Sequence, residues 1–163
     1  MKTEKRRRRE GKTDYKARLS LLGGGKPRIV FRKTNRYIIG QYVKSKEAQD
    51  KVEIGVTSRE LLKYGWPKEM RGSLKSMTAS YLTGFLLGKK ITEKEKGKAI
   101  LDIGLLRNIG KSRIYAFVKG AADAGVEIPF SEKVIPDESR IRGRHMKRNV
   151  DFEKIKSKIE EEK

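Results

Sequence analysis

The chain of 163 residues has no cysteine and a single histidine, His145. Without thiols there are no disulfides and no thiolate metal sites, and one imidazole cannot build a histidine-rich metal centre. That usage suits an intracellular protein, and no cofactor is expected. No segment approaches the ~18 apolar residues that read as a membrane span, and mean hydropathy is −0.74. The basic N-terminus lacks the apolar h-region of a secretory signal. Acids are scarce: 21 Asp and Glu stand against 41 Lys and Arg, giving a formal net charge of +20. A polyanion relieves such self-repulsion, and nucleic acid is the usual one. An anionic membrane is the other candidate, but the helical stretches lack a broad apolar face backed by Lys and Arg, so no membrane partner is expected.

The most organised stretch is 98–131. Residues 99–105 form a mostly apolar run interrupted by Asp102 and Gly104, the pattern of a strand buried on both faces. A Gly/Asn/Lys loop follows, with Ser112 placed to cap a helix over 113–124. Ile114, Phe117, Val118, Ala121 and Ala122 recur at helical spacing. Gly125 is a natural left-handed C-cap, and 126–128 can open another strand, completing a right-handed βαβ crossover. The loop delivers Lys111, Ser112 and Arg113 to a helix N-terminus, where anions bind. Residues 104–112, GLLRNIGKS, imitate the phosphate-cradling loop of nucleotide hydrolases. That motif places four residues between the first Gly and Gly-Lys-Ser; here there are five, including bulky Leu105, Leu106 and Ile109. Nucleotide hydrolysis is therefore not expected, whereas phosphate of another kind stays open.

Arg6 to Arg9 form an uninterrupted block in a segment, 1–12, that has almost nothing to bury and reads as disordered without a partner. Thr13 is placed to cap a short helix over 13–22. Residues 27–31 and 37–43 read as two strands of a hairpin with the cationic tip RKTNR, 44–50 as a charged loop and 52–56 as a third strand. Residues 58–66 read as a helical turn whose Trp66 is a half-buried anchor, with stacking on a base as the alternative. A helix is expected over 71–88, with Leu74, Met77, Tyr81, Leu82, Phe85 and Leu86 as its stripe and Ser76, Ala79, Ser80, Thr83 and Gly84 allowing close approach to a sheet. Residues 88–98 read as a basic linker. Beyond Ser131 an Arg-rich extended stretch leads to an amphipathic helix carrying Phe152, Ile155 and Ile159, free to dock or fray. The expected organisation is a basic extension at 1–25, a globular α/β domain at 26–130 and a basic extension at 131–163. Its sheet is mixed, an antiparallel meander with helices on its faces.

Several stretches resemble the 5S-ribosomal-RNA-binding family of the large ribosomal subunit, called L eighteen in bacteria and archaea and L five in eukaryotes. They are RRRREGKTDYKARLSLL at 6–22, RKTNRY at 32–37, SRELLKYGW at 58–66, SYLTGFLLGKK at 80–90, LDIGLLR at 101–107, SRIYAFVKGAADAGVEIP at 112–129 and PDESRIRGRH at 136–145. The RGRH stretch and the long C-terminal region look archaeal. The loop RNIGK at 107–111 and Phe130 depart from the family's usual Pro-Thr-Lys-Gly type of loop and histidine. The resemblance implies a ribonuclease-H-like translation-component topology, no catalysis and a cytoplasmic place in the large subunit. It further implies 5S rRNA, large-subunit rRNA and neighbouring large-subunit ribosomal proteins as partners. Candidate RNA-binding residues are then Arg6, Arg7, Arg8, Arg9, Lys12, Arg18, Arg32, Lys33, Asn35, Arg36, Lys111, Ser112, Arg113, Arg140, Arg142, Arg144, Lys147 and Arg148.

Two other readings compete. A ribonuclease-H-like nuclease needs several converging carboxylates to hold two metal ions; Asp102 and Glu53 are candidates, and no third acid is evident. A DNA-architectural protein would bind duplex DNA as tightly as structured RNA, which a competition assay separates.

Overall fold

The computed structural model describes residues 3–95, 98–145 and 150–161. In chain order these form α1 (Arg6–Arg9), α2 (Tyr15–Gly23), β1 (Arg28–Lys33), β2 (Ile38–Lys46), β3 (Gln49–Thr57) and two 3₁₀ segments, Ser58–Leu62 and Lys68–Ser73. There follow α3 (Met77–Lys94), β4 (Ile100–Asp102), α4 (Arg113–Asp123), a 3₁₀ turn at Glu132–Val134, α5 (Glu138–Ile141) and α6 (Phe152–Glu161). The sheet order is β3-β2-β1-β4; the first three strands form the antiparallel meander, and β4 lies parallel to β1.

Alternation along β1 sends Ile29 and Phe31 to the helical side and Arg28, Val30 and Arg32 to the other, as the two-residue period of a strand requires. Ile38, Tyr42, Ile54 and Val56 extend the helical side across the sheet. Phe31 meets Phe117 of α4 edge-to-face, ring centres 5.2 Å apart. The ring fits because the strand beneath it carries Gly40, where a Cβ would lie 2.7 Å from Phe117 Cζ.

The centre of the molecule is α3 rather than the 98–131 stretch. Buried positions run almost without break from Thr78 to Gly88 and resume at Ile91, because α3 is enclosed by sheet, α4 and α6. Its small residues serve the helix, not the sheet. A Cβ on Gly84 would fall 2.1 Å from Phe117 O, and one on Gly120 would fall 2.1 Å from Tyr81 O. Hydrogen bonds clamp the pair at both ends: Ser80 Oγ donates to Arg113 O (2.6 Å), Tyr81 Oη to Asp123 Oδ2 (2.8 Å) and Thr92 Oγ1 to Ala124 O (3.0 Å). Gly125 ends α4 at φ +99, with the amides of Gly125 and Val126 returning to Ala122 O and Ala121 O as a Schellman cap.

Several expectations are corrected. Asp14, not Thr13, caps α2, accepting from the amides of Lys16 and Ala17. Residues 6–9 form a helical turn, exposed at every position. No charged loop occupies 44–50: β2 and β3 run up to a two-residue turn at Glu47 and Ala48, both at positive φ, whose twist matches the strands. Ser76 starts α3 later than expected, accepting from Ala79 N, and the helix continues through the supposed linker to Lys94. Ile91 extends the buried stripe there, while Lys90 pairs with Glu60 at 3.1 Å. Glu95, its C-cap, accepts from Tyr42 Oη and from Lys44 Nζ (2.6 Å). Those two bonds, from Lys44 first, hold its carboxyl below the ordinary range, while burial and Glu95 push the Tyr42 phenol up.

Trp66 is not half-buried but only 2 % exposed, its Nε1 donating to Met70 O at 3.2 Å, so its ring is not available to a base. β4 has three residues instead of seven, because Gly104 at φ +60 turns the chain, and 126–128 contributes one parallel bridge, Lys98 to Glu127, rather than a strand. The described residues after Ser131 are folded onto the domain rather than extended. Ile141, Val150, Phe152, Ile155 and Ile159 join the main core, and the Phe152 and Tyr81 rings sit 5.3 Å apart. Burial worth about 1.5–3 kcal/mol for each large side chain explains why α6 docks on its own chain. Lys89 then caps its C-terminus through Ile159 O (2.7 Å) and Glu160 O (2.6 Å).

Candidate nucleic-acid interface

The N-terminus of α4 opens onto the surface beside the hairpin. Lys111 adopts φ +55 and donates its amide to Val134 O at 2.7 Å, which turns the chain into the helix. Ser112 occupies the N-cap position but makes no side-chain cap bond; its Oγ is buried with no hydrogen-bond partner. The first-turn amides, which have no intrahelical acceptor, are therefore left by Ser112 for another anion. Removing an unsatisfied buried hydroxyl relieves a desolvation penalty. Ser112→Ala should thus leave thermal stability within ~0.5 kcal/mol of wild type or raise it, instead of costing the ~1 kcal/mol of a lost cap. Thermal unfolding decides between the two.

Around this helix end lies a groove of about 470 Å³. Phe31, Met77, Leu106 and Ile114 give it an apolar floor, and Lys33, Arg107, Lys111, Arg113 and Arg140 give it five cations. Of these five, only Lys111 has an acidic partner among the described residues, Asp137 at 3.4 Å, and both members of that pair are exposed. The hairpin, the 103–112 loop, α4 and α5 thus converge cationic side chains that the protein itself leaves uncompensated. Arg107 was missed by sequence reasoning, although it lies in the loop that departs from the family's usual wording.

A second groove, about 640 Å³, runs between the N-terminal arm and 101–106 and includes Arg7, Lys12, Arg18 and Arg32. Its cations are largely spoken for. Arg32 donates to Phe31 O (2.8 Å), Asp102 O (2.9 Å) and Asp102 Oδ1 (3.0 Å), and Arg18 pairs with Asp50 at 2.9 Å. Arg7 donates to Thr13 Oγ1, Arg6 and Lys12 pair with Glu10, and Arg8 lies 3.7 Å from Glu4. Arg9 has no acidic partner among the described residues and is exposed, as are Asn35 and Arg36 at the hairpin tip and Arg144. Arg142 is turned back onto Glu138 (2.6 Å) and Glu153 (2.9 Å). Lys147 and Arg148 lie outside the described residues.

Arg28, 2 % exposed, explains the acid inside the apolar run. It reaches Asp102 Oδ2 (2.7 Å), Asp50 Oδ1 (2.6 Å) and Ser45 Oγ (3.0 Å), tying β1 to β4 and to the β2–β3 turn. Burial pushes the Asp50 carboxyl up, but hydrogen bonds from Ser45, Arg18 and Arg28 outweigh it and hold the group below its ordinary value. Asp102 is likewise committed to two guanidiniums, and Glu53 pairs with Lys51 at 2.9 Å. The two acids on which a nuclease depends are therefore engaged within the protein.

The comparison with known sequences bears on this cationic surface. Residues 1–98 match the family described as ribosomal large subunit proteins 60S L5, and 50S L18. The chain is 48% identical over 145 residues to the large ribosomal subunit protein uL18 of Korarchaeum cryptofilum, covering 89% of this chain and 72% of that protein. The chain belongs to this family of large-subunit ribosomal proteins. Archaeal uL18 proteins from Methanoculleus marisnigri (48% identical, 86% of this chain and 78% of that one) and Methanothermobacter thermautotrophicus (44%, 86% and 71%) agree. All three of these relatives are archaeal, in keeping with the archaeal wording of the C-terminal region. No helix of the described residues is long and apolar enough to cross a membrane.

Proposed function

We propose that this uL18-family protein binds 5S rRNA and helps attach it to large-subunit rRNA in the central protuberance, in the cytoplasm and without catalysing a reaction. The observation that carries the reading is the groove at the α4 N-terminus, where Lys33, Arg107, Arg113 and Arg140 have no acidic partner among the described residues. Folded RNA is recognised largely through shape, phosphate and 2′-hydroxyl contacts, which such a surface suits. A phosphate seated at the helix end would meet the free amides and the positive end of the dipole. Lys111 and Arg113 flank that position, and Ser80 holds it in place through Arg113 O. Neighbouring large-subunit proteins complete the partners in this reading.

Lys111→Ala and Arg113→Ala should each weaken 5S binding by about 1 kcal/mol or more while hardly moving the melting temperature. Unchanged affinity in both variants would show that the groove is a structural turn and nothing else. Affinity should also fall steeply with salt, since each neutralised phosphate releases counterions, and deleting residues 1–12 should weaken binding while sparing the thermal transition. Duplex DNA competing as well as structured RNA would favour a DNA-architectural role instead.

A further inference from the structure

A third cationic cleft lies at the hairpin tip and shares no lining residue with the α4 groove. It encloses about 450 Å³, within the ~300–1,000 Å³ of pockets that hold small ligands. Arg36 and Tyr37 come from the hairpin, Arg59 and Leu62 from the first 3₁₀ segment, and Arg71 and Leu74 from the approach to α3. None of the three arginine side chains has an acidic partner among the described residues. The Arg59 guanidinium lies over the Tyr37 ring, 4.0 Å from its centre.

Hydrogen bonds fix each of the three elements and tie the first two together. Thr34 Oγ1 accepts from the amides of Tyr37 (2.9 Å) and Arg36 (3.3 Å) and donates to Tyr37 O (2.8 Å), which sets the tip. Ile38 N donates to Ser58 Oγ (3.0 Å), holding the first 3₁₀ segment against β2 one residue from Arg59. Trp66 Nε1 and Ser73 Oγ both donate to Met70 O, which fixes the turn presenting Arg71. The cleft is built before any ligand arrives.

We propose that this cleft receives a single unstacked nucleotide of an RNA strand. A planar guanidinium already laid on an aromatic ring offers its outer face for a base and keeps its N–H edge free. Arg planes and Tyr rings are the side chains on which splayed bases stack. Leu62 and Leu74 supply the apolar wall that a base needs and a bare phosphate does not. Arg36 and Arg71 are left for the flanking phosphates, where a fork of donors fits best. The inference rests on the protein being an RNA binder but concerns a different surface and a different form of RNA from the α4 groove.

The experiment measures binding of the full chain to a short oligouridylate and a short oligoadenylate, alongside 5S rRNA, with melting temperatures recorded for every variant. Tyr37→Leu and Arg59→Ala should each weaken oligonucleotide binding roughly fivefold or more, and Arg59→Lys, which keeps charge but loses the plane, should fall with them. Lys111→Ala should leave oligonucleotide binding near the wild-type level. Oligonucleotide binding that survives Arg59→Lys and Tyr37→Leu in folded protein overturns the proposal. So does displacement of the oligonucleotide by oligoglutamate at equal charge, which would make the cleft a dock for an acidic protein segment. Retained oligonucleotide binding with no affinity for 5S rRNA overturns the functional reading above and leaves the cleft standing.

Discussion

Replacing Gly120 by alanine is expected to lower stability by about 3 kcal/mol or more, a large share of the ~5–15 kcal/mol that holds an ordinary domain together. Two effects oppose each other. Alanine is better than glycine in a helix by about 1 kcal/mol, which favours the variant. Against this, the new methyl would sit 2.1 Å from Tyr81 O, a backbone atom in the middle of a buried helix that cannot swing aside. Relief requires α3 and α4 to separate, which breaks their hydrogen bonds and opens the core around Phe117. The contact is reciprocal: Gly84 meets Phe117 O as Gly120 meets Tyr81 O, three residues along each helix. Gly84→Ala should therefore cause a similar loss. Gly55→Ala, with nothing within 4 Å of the added carbon, should stay within ~0.5 kcal/mol. Urea unfolding of the three variants gives the comparison, and a wild-type midpoint for Gly120→Ala would mean that the helices are not so close.

The second large effect is expected at Arg28. Its removal leaves Asp102, also buried, with one guanidinium instead of two and releases the β2–β3 turn, so Arg28→Ala should cost about 3–5 kcal/mol. The same principle predicts that Arg28→Met combined with Asp102→Leu recovers much of the loss caused by Arg28→Met alone, because a paired charge and an apolar pair are close in free energy whereas a buried carboxylate stripped of its nearer guanidinium is not. A double-mutant cycle in urea tests this, and additive losses would show that the pair is not coupled. Acid provides a further readout through Asp50. Its folded-state carboxyl is held low, so its contribution is in place above the ordinary carboxylate value of about 4 and is lost as pH falls through the lowered one. Asp50→Asn should flatten the acid limb of the stability profile.

Much of this fold was legible because local chemistry and global packing agree. The β1–β2 hairpin, the Schellman end at Gly125 and the stripe of α4 each follow from spacing or from a single special residue. What misled were compositional cues. Lys89 and Lys90 look like linker, yet they cap α6 and pair with Glu60 while Ile91 fills the core between them and Lys94. The Arg-rich stretch between Ser131 and the last helix hides Ile135 and Ile141, too widely spaced to show a period. The same ambiguity affects the candidate site. Nothing in a sequence separates an arginine that waits for a phosphate from one already spent on a carboxylate, so Arg18, Arg32 and Arg142 read like Arg113 and Arg140. The one available signal was Asp102: an acid inside an apolar run demands a cation from the same fold.

The open edges of the sheet have a consequence for handling the protein outside its assembly. β4 is too short to template another strand, but β3 presents a nine-residue edge on which Val52 is half exposed. A bulge opposite Tyr42 and Val43 and the nearby Lys51 disrupt that edge, two devices by which sheets avoid pairing with their own kind. Mutual repulsion between chains of charge +20 adds a third. Salt shortens the reach of that repulsion to ~10 Å at 0.1 M and ~3 Å at 1 M. The concentrated salt that strips RNA from the protein therefore also removes the force keeping naked copies apart, and self-association along β3 should set in under the conditions used to free the chain from its nucleic acid.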